Sequence, residues 1–311
     1  MIVTGRFAPS PTGSLHVGSL VAAVGSYLFA RAAGGRWLVR IDDLDPPRTV
    51  LGAADAQLRA LEAYGLQWDG AVVYQSQRMA AYQAALDRLA AAGYTFPCGC
   101  TRSDLEAAGS DGVYPGTCRP GLPPGRPGRS IRVRVPARPV SFVDRLLGGQ
   151  CYDLQKTGGD FVVRRADGLF AYQLAVVVDD LASGVTEVVR GVDLLASTGR
   201  QIHLYRCLGA TPPGYAHLPL VVTTAGEKLS KGCGAGPVPT SSPVREATLH
   251  RLLAALGQAP DGLAPAAPVV DQLAAAVAGF DPARVPREPI CFDGHVRTSG
   301  RASKVGDGEC T

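Results

Sequence analysis

Over the first ninety residues, short apolar runs alternate with segments whose apolar positions recur at helical spacing. IVTGRFA predicts a strand, and LVAAVGSYLFARAA a helix with Leu20, Val24, Tyr27 and Arg31 near one face. RWLVRI predicts a second strand, and AADAQLRALEAYG a helix closed at Gly65. AVVYQ predicts a third strand, and RMAAYQAALDRLAAAG a helix stopped at Gly93. Strands alternating with helices in this way predict an α/β fold in which parallel strands are joined by crossover helices.

Between Phe96 and Pro127 the periodicity fails and Cys, Gly and Pro crowd together, as in an insertion held by local chemistry instead of a large core. Regular patterning then resumes. SIRVRV and DFVVRR predict strands, FAYQLAVVVDDL a buried strand running into a turn, and LLASTGRQIHLYRCLG a helix closed by Gly209. TSSPVREATLHRLLAALG predicts a short helix with Ser242 and Pro243 at its start. Beyond it the chain turns Ala/Pro-rich and then polar, and from about Pro286 to Thr311 it reads as a disordered tail.

Composition adds little to this picture. The 311 residues are 46% hydrophobic and 19% charged, as in an ordinary globular protein, and a formal charge of +4 only mildly favours a polyanionic partner. The start MIVTGRFAPSPTG has no basic stretch leading into a long apolar run, and no apolar segment has the length of a membrane span. No membrane partner is expected, and a cytoplasmic location follows. In that reducing setting the eight cysteines are read as metal ligands or core residues before disulfides.

The candidate chemistry sits at the predicted strand ends. APSPTGSLHVGSL joins the first strand to the first helix, where free backbone N–H groups and the helix dipole favour phosphate. Ser14 can cap this helix, Gly13 and Gly18 permit close approach of a ligand, and His16 in the first turn can donate to phosphate oxygens of ATP. A capped helix with an incidental histidine is the plainer alternative. Far downstream, EKLSKG carries Lys228 and Lys231, which can surround a leaving pyrophosphate or simply belong to a solvated loop. RIDDLDPPR follows the second strand, with carboxylates able to hold an amino group and Arg40 and Arg48 able to neutralise their neighbours.

Together these residues resemble the class I aminoacyl-tRNA synthetases. HVGS is similar to their HIGH signature, KLSKG to their KMSKS loop, and the opening from Arg6 to the RFAPSPTGxLHxG start of the glutamate-specific branch. RIDDLDPPR resembles that branch's RxEDxDxxR, with Asp42 where the family has Glu. The resemblance, over roughly residues 3–257, implies a Rossmann-like class I catalytic domain that uses ATP, with Mg2+, to activate L-glutamate. It implies His16, Lys228 and Lys231 as catalytic residues, and His16, Gly18 and Lys231 at ATP. It also implies Arg6, Phe7, Ala8, Pro9, Ser10, Asp42, Tyr172 and Arg190 at glutamate. An anionic glutamate calls for guanidinium groups, and Arg6 and Arg190 are the candidates. Without the resemblance, Tyr172 reads as core and Arg190 as a surface charge.

Cys98-Gly-Cys100 followed by Tyr114-Pro-Gly-Thr-Cys118 offers three thiolates and a phenol in the insertion, either as a structural zinc site or as three buried or reactive thiols. The CxC and YxxxC pattern resembles the zinc signature of the glutamyl-queuosine tRNA(Asp) synthetase family. Only about 80 residues follow the KLSKG loop, too few for the helical anticodon-binding domain of discriminating glutamyl-tRNA synthetases. That family's acceptor, queuosine in the anticodon of tRNA(Asp), is implied by the resemblance alone. The alternatives are a truncated glutamyl-tRNA synthetase that charges an acceptor end, or a non-catalytic tRNA-binding paralogue. The chain is accordingly divided into a first half of the nucleotide-binding domain (1–95), a zinc-binding insertion (96–127), a second half with the lysine loop (128–257), and an Ala/Pro-rich segment with a disordered tail (258–311). Residues 112–143 carry Arg119, Arg126, Arg129, Arg132, Arg134 and Arg138 and no carboxylate, which suits either RNA phosphates or a solvated face.

Overall fold

The structure is a computed structural model that describes residues 2–109, 112–223, 226–229 and 236–292, and the backbone of 296–298. β1 (Thr4–Phe7), β2 (Arg36–Ile41) and β3 (Val73–Tyr74) form a parallel sheet in that order, with α1 (Val17–Ala32) and α2 (Ala53–Ala63) in the crossovers. The predicted third strand is thus only two residues long. After α3 (Met79–Ala91) the chain enters an antiparallel sheet in which β4 (Thr95–Cys98) pairs β5 (Ser130–Val133), and β5 pairs β8 (Phe161–Arg164). The loop between β4 and β5 carries α4 (Arg102–Ala107), capped by Thr101 and Asp104 in a reciprocal box.

β6 (Val140–Asp144) and β7 (Gly148–Tyr152) form a hairpin that joins β10 (Gly214–Leu218) and β9 (Glu187–Gly191) in the order β7-β6-β10-β9. β9 and β10 are parallel, with α6 (Leu195–Cys207) as their crossover. β9 abuts β1: the Thr186 N–H donates to the Thr4 carbonyl at 2.9 Å, and the Thr4 N–H to Thr186 Oγ1 at 2.9 Å. Alternate residues on β9 and β10 feed separate cores. Val189, Ala216 and Leu218 pack with α1 and α2, whereas Val188 and Tyr215 pack with α3, α6 and α5 (Tyr172–Ala182). This is the layered α/β architecture expected.

Two expectations are corrected, and one segment left without an assigned element proves to be helical. FAYQLAVVVDDL is not a strand: Tyr172–Ala182 is the helix α5. Its strand-like appearance arises because both flanks are buried, from Leu174 to Val177 and again at Asp179 and Asp180, so no polar stripe marks a helical period. The Ala/Pro-rich segment contains α8 (Val269–Ala278), whose Val269, Leu273 and Ala276 join the core beside α7 (Val244–Ala255). The segment from Pro286 is not wholly a disordered tail, since β12 (Ile290–Phe292) pairs in parallel with β11 (Val221–Val222) and antiparallel with β13 (Val296–Thr298). Residues 293–295 and 299–311 of that expectation lie outside the described residues. Among the described residues, no helix is long and apolar enough to cross a membrane.

Candidate active site

The ends of β1, β2, β9 and β10 surround a cavity of about 570 Å3. Its lining includes the predicted residues Arg6, Phe7, Ala8, Pro9, Ser10, His16, Gly18, Asp42, Tyr172, Arg190 and Lys228. Parallel strands present their carboxyl ends at one edge, which is where ligands of open α/β sheets collect. Lys231 lies outside the described residues.

His16, not Ser14, is the cap of α1. Its backbone is extended, and its ring Nδ1 accepts from the Ser19 N–H at 3.3 Å. The lysine loop folds back on β11, where the Leu229 N–H donates to the Val221 carbonyl at 2.8 Å. A Cβ on Gly18 would lie 3.0 Å from the His16 ring and 3.5 Å from the Leu229 carbonyl, so this glycine lets the two motifs meet. Lys228 Nζ donates to Asp193 Oδ2 at 2.7 Å beside the cavity.

Beneath the cavity lies a cluster of three guanidinium groups and three carboxylates, buried except for the partly exposed Arg78. Arg6 Nε donates to both Asp180 oxygens at 3.2 Å, and Arg40 Nη1 donates to Asp180 Oδ1 at 2.5 Å. Arg40 Nε also donates to Asp42 Oδ1 at 2.6 Å. Asp179 accepts from Arg78, from Gln75 Nε2 at 2.8 Å and from the Tyr82 hydroxyl at 2.8 Å. Burial pushes the Asp180 carboxyl up, but Arg6 and Arg40 outweigh it and hold the group below the usual carboxylate range. For Asp42 burial wins over Arg40 and the carboxyl is raised. Asp42 is thus a buried partner of Arg40 that also faces the cavity. Across the cavity Arg190 is 5% exposed; its Nη2 donates to Thr198 Oγ1 at 2.7 Å and its Nε to His217 Nε2 at 3.3 Å. Tyr172, at the start of α5, is 38% exposed on the rim and does not belong to the core.

In the insertion, Cys98, Cys100 and Cys118 bring their sulfur atoms within 4.8 Å of one another. The Cys100 and Cys118 sulfurs are 3.7 Å apart, and the Tyr114 hydroxyl lies 3.5 Å from Cys98 Sγ. Two thiolates about 2.3 Å from a tetrahedral ion stand about 3.8 Å apart, and a thiolate and an oxygen ligand about 3.5 Å apart, which are close to these two separations. Burial pushes the Cys98 thiol up, but hydrogen bonds from Tyr114 and the Cys100 backbone, with Arg132 nearby, bring it down to about 7. A Cβ on Gly99 would lie 2.8 Å from the Pro127 carbonyl, which explains the glycine between the two ligand candidates. Cys151 departs from the expectation for cysteines, being disulfide-bonded.

The catalytic-domain family described as tRNA synthetases class I (E and Q) matches residues 2–113 and 125–246. A glutamyl-Q tRNA(Asp) synthetase of Geobacter sulfurreducens is 54% identical over 93% of this chain and 96% of its own length. The same-named protein of Aromatoleum aromaticum is 58% identical over 82% of each. The chain belongs to the glutamyl-Q tRNA(Asp) synthetase family. A crystal structure of a glutamate tRNA ligase from Elizabethkingia meningosepticum, in complex with its amino acid, aligns with TM-score 0.79 and 26% identity over 92% of this chain. This member of the glutamyl-Q family spans only 66% of that ligase.

Most of the family member's basic segment serves the insertion itself. Arg126 pairs with Asp104, and Arg119 with Asp160 at 3.5 Å. Arg132 lies 3.9 Å over the Tyr114 ring and donates to the Asp160 carbonyl at 2.7 Å. Arg134 lies 4.8 Å over Phe96 and donates to the Arg119 carbonyl at 3.0 Å. All four have partners within the protein, while Arg119 and Arg126 keep side-chain exposures of 38% and 32%. Sequence reasoning missed Asp179, Asp180, Thr198, Asp144 and His217. For the first two, a pair of acids ending an otherwise apolar run was the available signal.

Proposed function

We propose that this chain activates L-glutamate with ATP and passes the glutamyl group to queuosine of tRNA(Asp), acting in the cytoplasm. A glutamate carboxylate oxygen attacks the α-phosphorus of ATP, which enters as its Mg2+ complex. The bond from that phosphorus to the α–β bridging oxygen breaks, pyrophosphate departs with the bond's electrons, and the mixed anhydride glutamyl-adenylate remains. A queuosine hydroxyl then attacks the carbonyl carbon, loses its proton, and AMP departs. His16 and Gly18 at the start of α1, with Lys228 and Lys231, stabilise charge on the triphosphate. Arg6 and Arg190 receive glutamate carboxylate groups, and Phe7 to Ser10, Asp42 and Tyr172 shape its site. Cys98, Cys100, Cys118 and Tyr114 would hold a Zn2+ ion, which would supply a structural cross-link to the insertion at residues 96–127.

The observation that carries this reading is the meeting of the His16 and Lys228 segments with two guanidinium groups around one cavity. The acceptor rests on the names of relatives that match over nearly their whole length. Exchange of labelled pyrophosphate into ATP tests the activation step: it should require glutamate and fail with aspartate or glutamine. His16→Ala and Lys231→Ala should each slow exchange by roughly 100-fold, about 3 kcal/mol of transition-state stabilisation, with little change in glutamate KM. Exchange without glutamate, or wild-type rates in either variant, would contradict the assigned roles.

A further inference from the structure

Behind Arg190 the sheet carries a fully buried imidazole. β9 and β10 pair with His217 opposite Arg190, so their side chains leave one face of the sheet on adjacent strands. His217 Nδ1 lies 2.6 Å from Asp144 Oδ2, and both side chains are 0% exposed. Asp144 Oδ1 accepts in turn from the N–H groups of Leu146 and Leu147 at 3.0 Å and of His217 at 3.2 Å. Burial pushes the Asp144 carboxyl up, but its bond from His217 and these N–H groups hold it below the usual range. An ionised carboxylate only accepts, so Nδ1 carries the ring proton and Nε2 presents its lone pair.

That lone pair faces two donors. Arg190 Nε–H is 3.3 Å away and the Thr198 hydroxyl 3.0 Å, while Thr198 Oγ1 accepts from Arg190 Nη2 at 2.7 Å. Two of the three guanidinium nitrogens are therefore engaged on the protein side. The third, Nη1, is buried with no protein partner in a side chain that lines the cavity. A buried guanidinium N–H left without an acceptor is costly, and the cavity beside it is where an acceptor can arrive.

We propose that His217, its tautomer fixed by Asp144, is a positioning residue that anchors Nε of Arg190 directly and Nη2 through Thr198, and so aims Nη1 at a substrate carboxylate. The inference rests on the reading that Arg190 receives glutamate. With the opposite tautomer, or with a second proton, Nε2 would become a donor facing Arg190 Nε–H, which can only donate, and the guanidinium would have to turn. Burial pushes the His217 imidazole below its usual range and Arg190 adds to this, while Asp144 opposes, so the neutral ring is the resting form.

The test is pyrophosphate exchange with the full chain, measuring KM for glutamate and for ATP separately in Arg190→Gln, His217→Phe, His217→Gln and Thr198→Val. Arg190→Gln should raise glutamate KM by roughly 100-fold. His217→Phe should raise it about tenfold with ATP KM changed less than about twofold, as expected when the group orienting a ligand-binding residue is removed. His217→Gln, whose side-chain oxygen can accept where Nε2 did, should recover most of the loss. Thr198→Val should resemble His217→Phe. An unchanged glutamate KM in Arg190→Gln would refute the glutamate reading itself. A raised KM there, with wild-type values in His217→Phe and Thr198→Val, would leave that reading standing and overturn the positioning role. Should His217→Phe fail to fold, nitrogen-15 chemical shifts of the wild-type His217 ring decide. A protonated Nδ1 with a lone-paired Nε2 supports the role, and the reverse tautomer overturns it.

Discussion

Asp180→Asn is expected to destabilise the fold by about 3–5 kcal/mol, the range for breaking a buried ion pair by removing one partner. The carboxylate is 1% exposed and is shared by Arg6 Nε and Arg40 Nη1. Asparagine keeps the shape and one acceptor but leaves the cluster of Arg6, Arg40 and Arg78 facing only Asp42 and Asp179. One positive charge is then uncompensated at groups that are 5% (Arg6) and 4% (Arg40) exposed. Because Arg6 also lines the cavity, glutamate KM should rise along with the loss of stability. Urea unfolding checks the first effect and pyrophosphate exchange the second. The pH dependence has a definite sign: Asp180 is held below the usual carboxylate range, so its contribution is complete above about pH 4 and is lost as pH falls through its depressed value. The gap between wild type and Asp180→Asn should therefore be largest near neutrality and close in acid. A gap that is constant down to pH 2 would mean that the carboxylate charge is not what the cluster uses.

The second large effect concerns the insertion. Cys118 is buried, its sulfur is 3.7 Å from that of Cys100, and its N–H donates to the Tyr114 hydroxyl at 2.8 Å. Among the described residues, Phe96, Cys98 and Tyr114 form the buried cluster around it, with Leu105 and Leu122 partly buried against them, too small to order this loop-rich segment by apolar burial alone. Cys118→Ser should lower zinc content from about one per chain to near zero, because a neutral hydroxyl is a poor substitute for a thiolate ligand. Amide exchange should then rise across residues 96–120 while α1, β9 and β10 stay protected. Elemental analysis and hydrogen exchange provide the two readings. Full metal content in the variant, or an insertion equally protected without metal, would remove zinc from the account.

What could be read from the chain, and what could not, divides along the range of the interactions involved. β1, α1, β2 and α3 follow from local periodicity, and the His16 and Lys228 segments from motifs a few residues long. α5 reads as a strand because its aspartates are buried by partners on three other segments, Arg6, Arg40 and Arg78, and a helix with no solvated stripe has no visible period. β12 escaped because its pairing partner, β11, lies some seventy residues earlier and three residues suffice for the ladder. The same applies to the site. Arg190 could be singled out by resemblance, but His217 and Asp144 reach it only through the register of β9, β10 and β6, which no local pattern specifies. Tyr172 and the arginines of the insertion illustrate the opposite risk, since composition gave each more than one role and only their neighbours in space decide among them.

The most direct test of the whole account is transfer of labelled glutamate to tRNA(Asp) carrying queuosine and to the same tRNA carrying guanine at that position. Glutamyl-adenylate formation alone would suit several members of the class I fold, whereas the acceptor separates them. Splayed anticodon-loop bases suit recognition by a pocket. The account predicts ATP-dependent labelling of the queuosine-bearing tRNA only, retained on an isolated anticodon stem-loop that bears queuosine. Equal labelling of both tRNAs, or labelling confined to the terminal adenosine of full-length tRNA, would contradict it and point instead to a shortened glutamyl-tRNA synthetase.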